Sequence, residues 1–209
     1  MKNILHIIVT PRGSESRTLK VSSVFLDTLK KKYPGCKIDE LNVFTEKLPE
    51  LTVKRLDGKY VLLGGKELTS ELEKAWEEMM AHINRFLSAD AYIISAPMWN
   101  FGIPYKLKHY IDVILQPKYL FRYTASGPEG LVKDKKMVIV TSRGGDYSQA
   151  SPFHAYDFQE PYLKAVLGFV GIKDIKFINA QPMDALGPAV QEEKIKEAQA
   201  LAVRVASEF

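Results

Sequence analysis

The chain has 209 residues, of which 46% are hydrophobic and 26% charged, and a formal net charge of +4. This length suits one domain over residues 1–209, and the composition excludes intrinsic disorder and low-complexity architectures. The small charge surplus forms no dense basic stripe, which argues against nucleic-acid binding.

The single cysteine, Cys36, excludes an internal disulfide and a cysteine-based metal site. No apolar run approaches the roughly 20 residues of a membrane span, so we expect no membrane partner. The first apolar run leads into Pro11 and not into a signal-peptide cleavage site. We therefore expect a cytoplasmic protein.

Short apolar runs alternate with longer stretches of helical period. Residues 4–9 are apolar on both faces, which predicts a central parallel strand. A helix is predicted over 18–33, and a second, more edge-like strand over 37–43. Residues 45–66 contain Pro49, Gly58 and Gly64-Gly65 and predict a long irregular segment.

A clear helix is predicted after that segment. Ser70 and Glu73 form a capping-box pattern at its start. The residues expected in the core at the 3.6 period are Leu72, Trp76, Met79, Ile83 and Phe86.

The second half of the chain continues the alternation. Its predicted elements are a third strand over 91–95, a helix with Pro104 at its first position, an aromatic hairpin or flap within 117–132, a fourth strand over 137–141, a helix over 159–170, a fifth strand over 175–179, and a last helix opened by Gly187-Pro188. The predicted fold class is α/β: a flavodoxin-like three-layer sandwich with a five-stranded parallel sheet in the order 2-1-3-4-5 and helices on both faces.

Ligands of such sheets bind beyond the carboxyl ends of the strands, near the point where the strand order reverses. The segment after the first strand runs from Thr10 through Ser14, Glu15 and Ser16 into a helix. It is neither G-x-G-x-x-G nor a P-loop, but it places hydroxyls and N–H groups at a helix N-terminus, as a phosphate requires. The alternative is simple N-capping by Ser16 or Thr18.

The segment after the third strand is Pro97-Met98-Trp99-Asn100-Phe101. Apolar side chains around a single amide suit a flat heteroaromatic ring. The alternative is a loop packed on its own side chains, with Trp99 as the anchor.

The segment after the fourth strand contains Ser142, Arg143, Gly144 and Gly145. Paired glycines allow the backbone to approach a ligand closely. The alternative is a plain tight turn.

Several segments together carry a resemblance to a known family. They are Ser14-Glu15-Ser16, Pro97-Met98-Trp99-Asn100-Phe101, Phe121-Arg122-Tyr123-Thr124 with Gly127-Pro128-Glu129-Gly130-Leu131, Thr141-Ser142-Arg143-Gly144-Gly145, and residues 161–171. In this combination the chain resembles the FMN-dependent NADH azoreductases, also described as NADH:quinone reductases.

The resemblance implies bound FMN. Ser14, Glu15 and Ser16 would bind its phosphate with Thr10 alongside. Met98 to Phe101 would wrap the isoalloxazine ring, Pro97 would also belong to the cofactor site, and Ser142 to Gly145 would bond the polar edge of the ring. It also implies a homodimer in which Phe101 and Tyr123, with Phe169 from the partner subunit, form an aromatic slot over the flavin.

The implied activity is the reduction of quinones and aromatic azo compounds by NADH or NADPH, in ping-pong two-electron steps carried by the flavin and not by a catalytic side chain. The alternatives are a flavodoxin-type electron carrier and a general NAD(P)H:FMN reductase. The four histidines show no H-E-x-x-H spacing, so no metal site is expected.

Overall fold

The structure, a computed structural model, describes residues 3–209. Its strands are β1 (Asn3–Ile8), β2 (Lys37–Asn42), β3 (Ala91–Ser95), β4 (Phe121–Thr124), β5 (Gly127–Gly130), β6 (Lys136–Ser142) and β7 (Asp174–Ala180). Five of them form a parallel sheet in the order β2-β1-β3-β6-β7. The other two pair with each other as an antiparallel hairpin. The predicted order 2-1-3-4-5 is therefore confirmed, and the aromatic segment forms the predicted hairpin.

Within residues 3–209, six helices connect and cover the strands. They are α1 (Arg17–Lys32), α2 (Val53–Leu63), α3 (Ser70–Leu87), α4 (Tyr105–Ile114), α5 (Glu160–Phe169) and α6 (Pro188–Glu208). Short 3-10 turns lie at Gly13–Glu15 and His154–Tyr156. No helix within residues 3–209 is long and apolar enough to cross a membrane.

Successive side chains of the central strands enter two different cores, as the alternation of a strand requires. Leu5 and Ile7 of β1 belong to the core beneath α3, α4 and α5. Ile4 belongs to the core beneath α1 and α6, together with Phe25 and Val205. The sheet is therefore covered on both faces, as predicted from the apolar strands.

The prediction of an irregular segment over 45–66 is wrong, because α2 occupies much of it. Thr52 caps the helix by accepting a hydrogen bond from the Arg55 N–H. A Cβ at Gly58 would lie 2.3 Å from Trp76 Nε1, and that nitrogen donates to the Arg55 carbonyl at 3.0 Å. Gly58 is thus the residue that lets α2 approach the indole closely, although glycine disfavours a helix interior.

Two predicted helix starts are also corrected. Thr69 caps α3, since its backbone is extended and its hydroxyl accepts from the Leu72 N–H, whereas Ser70 is already helical. Pro104 precedes α4 as its cap and is not the first helical residue. The predicted core of α3 is confirmed: Leu72 is half-buried and the other four residues are buried.

Candidate functional site

A cavity of about 210 Å³ lies at the carboxyl edge of the sheet, where β1, β3 and β6 end and the strand order reverses. Its lining comes from four loops that are distant in sequence. The lining residues are Thr10, Arg12, Ser16, Arg17, Pro97, Met98, Trp99, Ser142, Arg143, Gly144, Met183 and Asp184. Eight of the sequence-predicted binding residues therefore meet around one space.

The first helix begins at one end of the cavity. Ser16 is buried and caps α1, accepting a hydrogen bond from the Leu19 N–H at 3.3 Å. The N–H groups of a first helical turn have no acceptor within the helix, and the helix dipole makes this end positive. Arg12 and Arg17 add two positive charges. This end of the cavity can bind a phosphate, even though Ser16 is also a cap.

Some predicted phosphate-binding residues lie just outside the lining. Ser14 and Glu15 are exposed in the 3-10 turn that leads into α1. Thr18 does not cap the helix. Its hydroxyl is within 2.7 Å of the Ser142 hydroxyl, which ties α1 to the end of β6.

A tight turn over residues 99–102 adjoins the cavity, which its first residue, Trp99, lines. Trp99 and Gly102 exchange two backbone hydrogen bonds of 3.0 Å, and Met98 N–H donates to the Ser142 carbonyl. Asn100 and Phe101 have φ values of 48° and 70°, as in a type I′ turn. A phenylalanine rarely adopts this conformation, and such strain is concentrated at functional sites. The turn holds the Phe101 side chain exposed beside the cavity.

A buried ion pair connects the loops that follow β3 and β6. Arg143 Nη1 donates to Asp157 Oδ2 at 2.9 Å, and the two side chains are only 1% and 4% exposed. Asp157 Oδ1 accepts from the N–H groups of Gln159 and Glu160 at 3.0 Å. Gln159 Nε2 in turn donates to the Pro97 carbonyl at 3.0 Å. The Arg143 guanidinium is thus engaged by Asp157, and the residue holds the loops in place.

Sequence reasoning missed four lining residues: Arg12, Arg17, Met183 and Asp184. The last two follow β7, the fifth strand of the sheet, whereas the predicted site is built from the segments after the first, third and fourth strands. Asp184 reaches the cavity because its N–H donates to the Gly144 carbonyl and its carboxylate pairs with Arg17 at 2.6 Å. No sequence signal connects Arg17 to a residue 167 positions away.

Gly145, Asn100 and Phe101 lie next to the lining without being part of it. A Cβ at Gly145 would meet the Tyr147 ring at 3.5 Å, which is ordinary contact. The Phe101 ring lies 6.4 Å from that of Tyr147 and 5.5 Å from that of Tyr156, centre to centre. These aromatic rings extend the apolar side of the site.

Tyr123 and Phe169 belong to a different aromatic group. The Phe121 ring centre is 5.8 Å from that of Tyr123 and 4.9 Å from that of Phe169. Phe169 ends α5, a helix about 15 Å long whose first residue, Glu160, lies beside Arg143. Phe169 lines a groove with Lys136 and Asp174, the first residues of β6 and β7. This aromatic group therefore lies toward the opposite edge of the sheet from its own chain's cavity.

Three of the four histidines contact polar groups of other residues in the fold. His6 Nε2 is 2.8 Å from the Ser95 hydroxyl, and burial lowers the pKa of His6 to about 4. The His109 ring contacts the Pro49 carbonyl, and that of His154 contacts the Tyr147 carbonyl. Within residues 3–209, no three His, Cys, Asp or Glu side chains are placed to share a metal ion.

Comparison with known proteins yields a consistent set of relatives. Residues 2–205 match a family described as having a flavodoxin-like fold. The chain is 36% identical over its full length to the full-length FMN-dependent NADH:quinone oxidoreductase of Nitratidesulfovibrio vulgaris. It is 38% identical to FMN-dependent NADH:quinone oxidoreductase 2 of Pseudomonas syringae pv. tomato, over 98% of both chains.

Solved structures agree with these relatives. A Bacillus anthracis azoreductase is 30% identical and superposes with a TM-score of 0.90 over 100% of both chains. An FMN-dependent NADH-azoreductase of the same species, solved in complex with FMN, is 32% identical with a TM-score of 0.84, covering 99% of this chain and 100% of its own.

Proposed function

The chain belongs to the family of FMN-dependent NADH:quinone oxidoreductases with a flavodoxin-like fold, and we propose that it is an enzyme that uses NADH or NADPH to reduce quinones and aromatic azo compounds through bound FMN. The observation that carries this proposal is the cavity at the carboxyl edge of the sheet. Its chemistry is divided between a positive helix end with hydroxyls and an apolar wall next to glycine backbone. A phosphate ester joined to a flat ring needs these two surroundings side by side.

The residues present fit FMN. We assign the phosphate to Thr10, Ser14, Glu15 and Ser16, and the ring to Pro97, Met98, Trp99, Asn100, Phe101, Ser142, Arg143, Gly144 and Gly145. When bound, FMN supplies the two-electron hydride chemistry. The chain binds and orients it, and its backbone donors stabilise negative charge on the ring. No catalytic side chain is needed.

A flat acceptor would be held in an aromatic slot between two copies of the chain. Phe101 lies beside the cavity, whereas Tyr123 and Phe169 contact Phe121 toward the other edge of the sheet. One chain therefore cannot close all three rings over its own cavity. We propose a homodimer in which the rings of Tyr123 and Phe169 reach the site of the other subunit, a change from the expectation that Tyr123 acts within its own chain.

Subunit mixing tests the shared slot. Phe101→Ala and Phe169→Ala homodimers should each have a raised KM for a quinone. Dissociating and reassociating an equal mixture should recover activity, because half of the mixed dimer's sites contain both native rings. Absence of recovery, with mixed dimers demonstrated by mass, would place both rings in one chain's site.

The function itself is tested with purified protein. We expect a yellow protein with an absorbance band near 450 nm, or apoprotein that quenches the fluorescence of added FMN. Stopped-flow mixing with NADH or NADPH should bleach this band, and a quinone should restore it. Bleaching without steady-state turnover would favour an electron carrier, and a colourless protein that ignores FMN would remove the proposal.

We further propose that residues 1–209 act as one domain and that the enzyme works in the cytoplasm. The reasons are the continuous alternation of strands and helices over the chain and the cytoplasmic supply of NADH. Fractionation of cells that express the native chain tests the location.

A further inference from the structure

The cavity contains an acidic side chain that the phosphate of FMN would have to meet. Asp184 lines it together with Arg17, and Asp184 Oδ1 accepts a hydrogen bond from Arg17 Nη1 at 2.6 Å. Arg17 is the first residue of α1, so its guanidinium lies at the positive helix end. A carboxylate next to a site for a dianion opposes binding unless it has another role.

The carboxylate is held in place by its backbone and not by Arg17 alone. The N–H groups of Met183 and Asp184 donate to the Gly144 carbonyl at 3.1 and 3.0 Å. A Cβ added to Gly144 would lie 3.1 Å from Asp184 Oδ2. Asp184 therefore stays beside the cavity whether or not its ion pair with Arg17 is formed.

Arg17, in contrast, can exchange its partner. Its side chain is 27% exposed and that of Asp184 62%, and exposed ion pairs contribute little to stability. A guanidinium binds phosphate oxygens through two parallel hydrogen bonds. Two other arginines line the cavity. Arg143 is already paired with Asp157, and Arg12 is 60% exposed with its Nη2 3.6 Å from Glu15 Oε2. Arg17 is thus the better enclosed of the two cations available to a phosphate.

We propose that Arg17 binds the FMN phosphate by leaving Asp184, and that Asp184 is a specificity-determining residue that weakens FMN binding by competing with the phosphate for Arg17. This inference rests on the proposed function, because it assumes that FMN occupies the cavity. The ion pair between Arg17 and Asp184 thus sets how much the phosphate group contributes to the affinity for FMN. It leaves the contribution of the ring unchanged.

The test measures the Kd of the apoprotein for FMN and for riboflavin, which lacks the phosphate, by flavin fluorescence quenching. Asp184→Asn should tighten FMN binding about fivefold, the upper range for an exposed ion pair, and leave riboflavin unchanged. Arg17→Gln should weaken FMN at least tenfold, as expected for a lost hydrogen bond to a charged group, and again leave riboflavin unchanged. In the Arg17→Gln background, Asp184→Asn should have a smaller effect.

Matched controls carry the same charge changes on exposed positions outside the cavity lining. Asp27→Asn on α1 and Arg204→Gln on α6 should leave both Kd values unchanged. Circular dichroism and thermal unfolding verify that each variant is folded.

The outcomes separate this inference from the proposed function. If Asp184→Asn weakens FMN binding as Arg17→Gln does, the pair merely holds the cavity together and the competition is refuted. Equal shifts for riboflavin, or unchanged FMN binding in both variants, also refute it while the wild type still binds FMN. A wild-type protein that binds neither flavin refutes the proposed function as well.

Discussion

The buried ion pair between Arg143 and Asp157 leads to a quantitative prediction about stability. The two side chains are 2.9 Å apart and almost fully buried. In Arg143→Met, Asp157 would keep only the N–H groups of Gln159 and Glu160 as partners, and its charge would lie uncompensated in the interior. Removing one partner of such a pair costs about 3–5 kcal/mol, a large share of the roughly 5–15 kcal/mol that stabilises a typical protein.

A double-mutant cycle in urea unfolding of the apoprotein provides the assay. Arg143→Met should lower the free energy of unfolding by about 3–5 kcal/mol. Asp157→Leu should lower it by less, because Arg143 Nη2 would still lie 3.6 Å from Glu160 Oε2. The double variant should lose much less than the sum of the two, because it removes both charges together. It should still lose about 1–2 kcal/mol through the two backbone hydrogen bonds that Asp157 accepts. A cost below about 1 kcal/mol for Arg143→Met, or strictly additive losses, would refute the argument from burial.

Three further predictions use other parts of the chain. Gly58→Ala should lower the free energy of unfolding by about 1–3 kcal/mol, because the new methyl group collides with Trp76 and outweighs the gain in helix propensity; an increase in the urea midpoint would contradict this. Asn100→Ala should weaken FMN binding by about 1–3 kcal/mol, because the amide is lost. Asn100→Gly also removes the amide but relieves the positive φ, so it should weaken FMN binding equally. Wild-type FMN affinity in the glycine variant would assign the effect to the backbone instead. His6 has a pKa of about 4 in the folded protein against 6.5 for the ordinary group, so the unfolded chain is protonated first as the pH falls. The free energy of unfolding should therefore decrease by about 2 kcal/mol between pH 7 and pH 5. His6→Gln should remove that part of the pH dependence, and an equal change with pH in both proteins would contradict the argument.

The order of the strands and of the helices other than α2 was predictable, because each of these elements buries a face with its own period. The run at residues 4–9 could only be a strand covered on both sides, and β1 places Ile4 and Leu5 in opposite cores. The cavity was predictable for a related reason. Parallel strands end at one edge, so the segments that follow β1, β3 and β6 had to meet there.

Contacts between distant segments were not predictable, because neither partner carries a local sign of the other. Gly58 signals a helix break until the Trp76 indole beside it is known, and then it is the residue that α2 requires. Asp184 is an ordinary loop residue until the turn after β7 brings it to Arg17. Local periodicity thus determined the elements other than α2 and the segments that reach the binding edge. Tertiary packing decided that α2 forms, which partner each buried or cavity-lining charge has, and toward which edge of the sheet Tyr123 and Phe169 lie. These features depend on contacts between distant parts of the chain, which local sequence does not encode.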